Sequence, residues 1–583
     1  MKVGKPYLST LIVLLLFYML GACSHDEPEG YDWVNGMAFV NVNITSTSPS
    51  DTRAAVVDSF VCGTQDEQAV KSARFLFYDS NGVFVGEASV WNGGTAATGT
   101  NQNVEYWGKS TLMLTGLSSK DFPAYLVTIL NAPSNFYVAS TLDKLRQELA
   151  TSYLTDDGYF VMTTSSFDRG DSSNPYYFAT PIASTDFMKT AAEATSDAHA
   201  VPVYVERLAA KVQVTLDINE TVNPRIHAGT VDNLYQIADF TFIGLSEMTT
   251  TGYIRILGWG LNCTNSESYF FKNIDTTWDY NTLGFYYNST MNSRSYWAKS
   301  PNYGNTGCYY PPYYIPSDSK ASVLSYVPST ALNHGFTADN NNVAYCCENT
   351  NTAAIIGANY PSSLTSVTVL AQLYLADGQP INDVLVRYHG MFFTQDAFVD
   401  YVIGSLRALG KGYMQYQHDG HDLELGHFKL VSVETPDRRG LKYNGRVKVQ
   451  LADNKLTGWT HIKTGDTVSY EQINKELAYF VDMEEYDATG YKEGLMYYNI
   501  PLEHFNTTAD VTSGTSVTVA EAHYGVVRNH FYQVSLTGIT GLGVGIFVDS
   551  EPIVPQLTSS SYYHVGARVN ILSWKTLSQL VVI

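Results

Sequence analysis

The feature that most limits the fold of this chain is a succession of short apolar stretches that alternate by twos and are broken by turn residues. The segment "VKSARFLFYDSNGVFVGEASVW", Val70 to Trp91, holds two such stretches around Asn81-Gly82. Successive strand side chains point to opposite faces, and an Asn-Gly pair accepts the positive φ of a tight hairpin, so this segment reads as a two-stranded hairpin. "AYLVTILNAP", Ala124 to Pro133, is instead continuously apolar between turn residues, as in a strand covered on both faces. "VPVYVERLAAKVQVTLDI", Val201 to Ile218, alternates over Leu208, Ala210, Val212, Val214 and Leu216, and a polar stretch near 183–200 precedes it. A domain boundary is expected there, at about residue 205. Helical spacing is confined to two places. Leu142, Leu145 and Leu149 predict a short surface helix over 141–149; Phe398, Val402 and Leu406 predict one over 394–409, capped by Thr394. With 43 tyrosines and only 16% charged residues, the chain suits an extracellular β protein. The expected fold is mostly β: two tandem β-sandwich-like domains with a few short helices.

Several function classes are disfavoured by the same residues. A formal net charge of −21 opposes binding to a phosphate backbone, so no nucleic-acid partner is expected. The span "QHDGHDLELGH" brings His418, Asp419, His421, Asp422 and His427 close in sequence, but without HExxH spacing and with Gly420 and Gly426 between them. It reads as a solvated polar turn, and no metal is expected. No GxSxG elbow, P-loop or dinucleotide fingerprint stands in the right context, and "GITGLGVGI" has no following helix to receive a phosphate. No catalytic residue and no cofactor is expected, and the chain is read as a non-enzyme. The stretch from Tyr269 to Tyr314 is crowded with Tyr, Asn, Ser and Gly. It reads as a surface insertion of the second domain; the alternative is a face on which sugars stack.

The two ends carry the remaining information. Lys2, Lys5 and the ten apolar residues from Leu11 to Leu20 form a segment too short to span a bilayer but suited to a secretory signal. Leu20-Gly21-Ala22-Cys23 resembles a bacterial lipobox, with Cys23 as the acylated residue. Cys62, Cys263, Cys308, Cys346 and Cys347 then remain, an odd number that cannot all pair within one chain. Cys263 or Cys308 could pair with one of the adjacent two. A short strand follows, with Ala38, Val40, Val42 and Ile44 on one face, and then a polar run leading to Arg53-Ala54, an accessible target for a trypsin-like protease. Near the other end, Val565, Ala567, Val569 and Ile571 share a face, and Leu572, Trp574, Leu577, Leu580 and Val582 continue the apolar character. An apolar extended tail without a partner is an aggregation hazard, so it completes either its own sheet or a neighbour's.

These pieces together resemble the Bacteroidetes-type fimbrillins, the subunits of type V pili, and most nearly the shaft subunit of a minor or short fimbrium. The matching segments are the lipobox, Arg53, "VKSARFLFYDSNG", "YLVTILNAP", "YFVMTTSSF", "VERLAAKVQV", "YCCENTN", "VVRNHFYQVSLTGITGLG" and "ILSWKTLSQLVVI". The Tyr-rich middle and the histidine span lie outside the resemblance. It implies a layout of signal peptide (1–22), propeptide with a removable first strand (23–53), N-terminal β-sandwich (54–204), C-terminal β-sandwich with the Tyr-rich insertion (205–560) and C-terminal donor strand (561–583). It further implies an outer-membrane lipoprotein precursor, cut after Arg53 by an arginine-specific protease. The slot left by Ala38, Val40, Val42 and Ile44 then takes the tail of an identical subunit, giving a cell-surface fimbrium for adhesion and biofilm formation, with accessory tip and anchor pilins. The alternatives are a tip or anchor subunit, or a surface lipoprotein that binds glycans or peptides without polymerising.

Overall fold

The computed structural model of the chain describes residues 37–45, 60–61, 63–91, 93–96, 106–115, 122–165, 176, 178–194, 200–228, 231–245, 249–265, 267–273, 298–304, 343–351, 365–375, 379–433, 445–481, 483, 486–504, 524–548 and 574–582. Mostly β, it is built on three main sheets whose strands are numbered along the chain. The first sheet runs β4 (Phe84–Ala88), β3 (Ala73–Asp79), β7 (Pro123–Leu130), β9 (Met162–Thr164), β12 (Ala200–Arg207), β1 (Met37–Thr45), β6 (Tyr106–Thr115) and β5 (Gly94–Ala96). Two short strands join it, β10 (Thr180–Pro181) on β7 and β11 (Phe187–Met188) on β1. The second runs β18 (Val343–Cys347), β13 (Ala209–Leu216), β28 (His530–Gly538), β30 (Trp574–Val582) and β2 (Phe60–Val61). The third runs β26 (Thr489–Lys492), β20 (Val384–Tyr388), β21 (Met391–Thr394), β15 (Val231–Ile243), β16 (Thr249–Asn262), β19 (Ser366–Tyr374), β27 (Leu495–Pro501) and β29 (Val544–Gly545), with β14 (Arg225–Ala228) on β15. Three two-stranded ribbons complete the set: β8 (Leu149–Ala150) with β17 (Ser268–Tyr269), β22 (Tyr416–His418) with β25 (Trp459–His461), and β23 (Phe428–Ser432) with β24 (Val447–Leu451).

Alternation decides which core each strand feeds. In the first sheet, Phe75 and Phe77 of β3, Leu126 and Leu130 of β7, Leu112 and Leu114 of β6, and Val201 and Val203 of β12 enter one core. The opposite face of β3 and β7 sends Leu76, Tyr78, Val127 and Ile129 into a second core, so β7 is covered on both sides as its continuous apolar run predicts. The hairpin between β3 and β4 turns at Asn81-Gly82, with Gly82 at φ 73°, a conformation that costs an L side chain more than glycine. After β12 the chain leaves the first sheet at Leu208 and enters the second as β13. There Ala210, Val212 and Val214 meet Ile254, Ile256 and Val369 of the third sheet, which makes these two sheets a sandwich.

The predicted helices differ in outcome. Gln395–Ala408 forms with Thr394 as its N-cap, the threonine hydroxyl accepting from the Ala397 amide at 3.3 Å, and buries Phe398, Val402 and Leu406. The other is shorter and deeper than its spacing suggests. Only Leu142–Leu145 is helical; Leu142 and Leu145 are fully buried, and Leu149 is exposed in a strand. The Tyr-rich stretch also departs from expectation at its start. Tyr269 pairs with Leu149, and Phe270 and Phe271 pack with Phe136 and Phe178 against the first sheet, so aromatic burial ties this end to the N-terminal half rather than to the surface of the second.

Candidate functional site

The first strand is interior to its sheet. β1 pairs antiparallel with β6 along its whole length, from Met37 opposite Thr115 to Thr45 opposite Trp107. On its other side it pairs with β11 at Phe39 and Val40, and then parallel with β12 from Asn41 to Thr45. Val40 and Val42 are fully buried in the first core. Register puts Leu114, Leu112, Ser110 and Gly108 of β6 opposite Ala38, Val40, Val42 and Ile44. A Cβ on Gly108 would lie 2.2 Å from the Trp91 ring, so only glycine lets that indole cover the end of the slot. Removing β1 would therefore open a gap between two hydrogen-bonding strand edges above an apolar floor.

The structure does not bring the two sequence-predicted strands together. Trp574, Leu577, Leu580 and Val582 lie on β30, which runs parallel to β28 from Lys575 opposite His530 to Val582 opposite Gly538. Among the described residues, two pair on its other side, Trp574 with Val61 and Lys575 with Phe60 of β2. Val565, Ala567, Val569, Ile571 and Leu572 lie outside the described residues, as do Cys23, Arg53 and Ala54.

Between these strands lies a buried charged joint that sequence reasoning missed. Glu67, on the helical turn Gln65–Gln68, pairs with Lys211 of β13 at 2.7 Å, and the Tyr345 hydroxyl donates to it. Arg207 of β12 donates to the Glu67 carbonyl at 2.8 Å and to Asn529 Oδ1 at 3.3 Å. A second group links Glu206 to Lys272 at 3.2 Å and Glu348 to Arg528 at 3.2 Å, all fully or almost fully buried. Burial pushes the Glu67 carboxyl up, but Lys211, Tyr345 and Arg207 outweigh it and hold it below the usual carboxylate range. In the second group burial dominates: it raises Glu206 against the pull of Lys272 and Arg528, and lowers Lys272. The signal was present in "VERLAAKVQV", where Glu206, Arg207 and Lys211 interrupt buried strands, since ions are seldom buried without partners.

The remaining candidates have structural settings. His427 is buried, its Nδ1 accepting from the Glu424 amide at 3.0 Å, and its ring lies 5.3 Å from Trp459. His418 contacts Trp459 as well and pairs its Nε2 with the Thr457 carbonyl at 2.8 Å. Part of the expected solvated turn is therefore packed, because two imidazoles flank one indole. Among the described residues no group of three or more His, Cys, Asp or Glu is placed to hold a metal ion. Cys346 and Cys347 are buried free thiols, so neither pairs with the buried Cys263; Cys62 and Cys308 lie outside the described residues.

Residues 489–579, from β26 to the first part of β30, match the family model of the major fimbrial subunit protein type IV, fimbrillin, C-terminal region. The chain carries a fimbrillin C-terminal region. Trp574, at the start of β30, falls inside the fimbrillin match. Solved structures similar to this chain include a candidate cell adhesion protein from Parabacteroides distasonis, 11% identical, covering 93% of this chain and 98% of that one at a TM-score of 0.31. A fimbrial assembly protein from the same species is 11% identical over 59% of this chain and 87% of that one, TM-score 0.26. The C-terminally truncated tip fimbrial protein Mfa3 from Porphyromonas gingivalis is 11% identical over 58% and 79%, TM-score 0.24. No curated protein matches the chain.

Proposed function

We propose that this chain is a shaft subunit of a type V surface fimbria that polymerises by protease-triggered strand exchange. The observation that carries the reading is the interior position of β1, bonded on both sides yet joined to the rest of the chain only through the segment that contains Arg53. On this reading the precursor is an outer-membrane lipoprotein acylated at Cys23, and an arginine-specific protease cuts between Arg53 and Ala54. The strand bearing Ala38, Val40, Val42 and Ile44 leaves, and the C-terminal segment of the next subunit, beginning at Val565, enters by β-augmentation. Refilling the sites of Val40 and Val42 recovers roughly 1.5–3 kcal/mol for each buried side chain, before the ladder hydrogen bonds and the ordering of the tail. Identical subunits are the principal partners, with tip and anchor pilins at the ends; the role is adhesive and structural, with no reaction catalysed. The layout at 54–204, 205–560 and 561–583 belongs to the same proposal.

One observation favours a second reading. β30 already pairs with β28 of its own chain, and a tail that stays there would leave a non-polymerising surface protein with an open slot. Limited proteolysis of the lipidated precursor separates the two. Strand exchange predicts a new N-terminus at Ala54 and a ladder of SDS-resistant oligomers. Clean cleavage that yields only monomer overturns it in favour of the second reading.

A further inference from the structure

Under Val42 lies a polar atom that the chain's own first strand leaves unpaired. Ser110 of β6 is fully buried, stands opposite Val42 in the register, and its Oγ has no hydrogen-bond partner among the described residues. Its surroundings are apolar: Val40, Leu112 and Leu114 on the same face, and Val201 beside Val42 on β12. A buried hydroxyl without a partner is destabilising, so the slot as filled by β1 carries a defect that another strand can remove. The molecule already uses the remedy elsewhere, where Thr215 and Ser535 face each other on β13 and β28 with their hydroxyls 3.0 Å apart.

We propose that Ser110 reads the register of the incoming strand, accepting the hydroxyl of Ser573 from a second copy of the chain. This rests on the strand-exchange reading and names its register. Beyond Val565 the tail has three hydroxyls, Ser573, Thr576 and Ser578, that could meet Ser110 in the direction of β1. Thr576 there would force Trp574 into the fully buried place of Val40, which is sized for valine. Ser578 there would put the Thr576 hydroxyl in that same apolar place. Ser573 alone sends a β-branched aliphatic, Ile571, to Val40 and another, Val569, to Ala38. Lys575 then falls at Ile44, beside Gly108 and the half-buried Trp91, where its stem can lie along the indole and its ammonium reach water. Running the strand in reverse would put Lys575 opposite Leu112, in the core. The apolar face read from sequence, Val565 to Ile571, is thereby extended to Ser573 and set four residues along from a simple end-to-end match with Ala38–Ile44.

Cysteine pairs in the full-length, protease-processed chain test this. Directly opposed strand residues have Cα atoms within disulfide range, whereas a four-residue slide separates them by about 13 Å. Polymer made from Ser110→Cys/Ser573→Cys is expected to give a non-reducible-by-heat, thiol-sensitive ladder on oxidation. Ser110→Cys/Val569→Cys and the single variants are expected to give none. A ladder from the Val569 pair, or polymer that cross-links with neither, overturns the register while strand exchange stands. Absence of polymer from the unsubstituted processed chain overturns both. As a second readout, Ser573→Val is expected to speed subunit dissociation roughly twofold to tenfold, and Ser110→Ala to cancel that difference. An equal effect in both Ser110 backgrounds overturns the contact.

Discussion

β1 and β30 belong to two different sheets, and they are held in different ways. β1 is bonded along both edges, and Val40 and Val42 are fully buried. β30 is bonded along β28 and, among the described residues, meets two residues of β2 on its other side. A strand held on one side can be exchanged at the loss of one ladder, whereas an interior strand leaves two unsatisfied edges. Under the strand-exchange proposal, the difference assigns the covalent cut to β1 and only a local opening to β30. Between them, Glu67 fastens the chain just beyond β2 to β13, so that withdrawal of β1 need not disturb the neighbour of β30.

That contrast can be broken in several places. The largest effect is expected from Glu67→Ala, which strands the Lys211 ammonium in a buried site and should cost roughly 3–5 kcal/mol in denaturant unfolding. A loss under about 1 kcal/mol would mean the joint does not hold the two regions. Val42→Ala should cost roughly 1.5–3 kcal/mol in the intact chain; after cleavage and release of β1 the difference from the parent chain should vanish. Persistence of the difference would show that β1 never left. The acid side offers a third measurement. The folded Glu67 carboxyl sits below its ordinary value of 4.5, so its contribution is present above that value and fades as pH falls through the lowered one. Urea midpoints should therefore decline as pH falls below the ordinary value of 4.5, and less steeply in Glu67→Gln. Deleting residues 574–582 should quicken amide exchange in β28 and leave β6 and β12 unchanged; faster exchange in β6 would mean the sheets are not independent. Thr394→Ala, far from both strands, should cost about 1 kcal/mol through its lost helix cap and serve as the control.

Much of this was legible residue by residue. Period-two alternation gave β13 and the β3–β4 hairpin, and Thr394 announced a helix start, because these signals are local and repeat within a few residues. The short reach of the Leu142–Leu145 helix was not legible, since tertiary burial of two leucines overrides the spacing of a third. Nor were the partners of the charged residues, which come from far along the chain: Arg528 meets Glu348 across 180 positions and Arg207 meets Asn529 across 322.

The sequence by itself determined that this chain makes many short strands, which side of each is apolar, and that its two ends carry strand-like segments of the same character. Only the tertiary structure decided that β1 is interior, that β30 rests on β28, and that Ser110 lies unpaired beneath Val42. The physical reason is that alternation is written in neighbouring residues. Sheet order, register and the pairing of buried polar groups are instead settled by contacts between segments that nothing in the local sequence names.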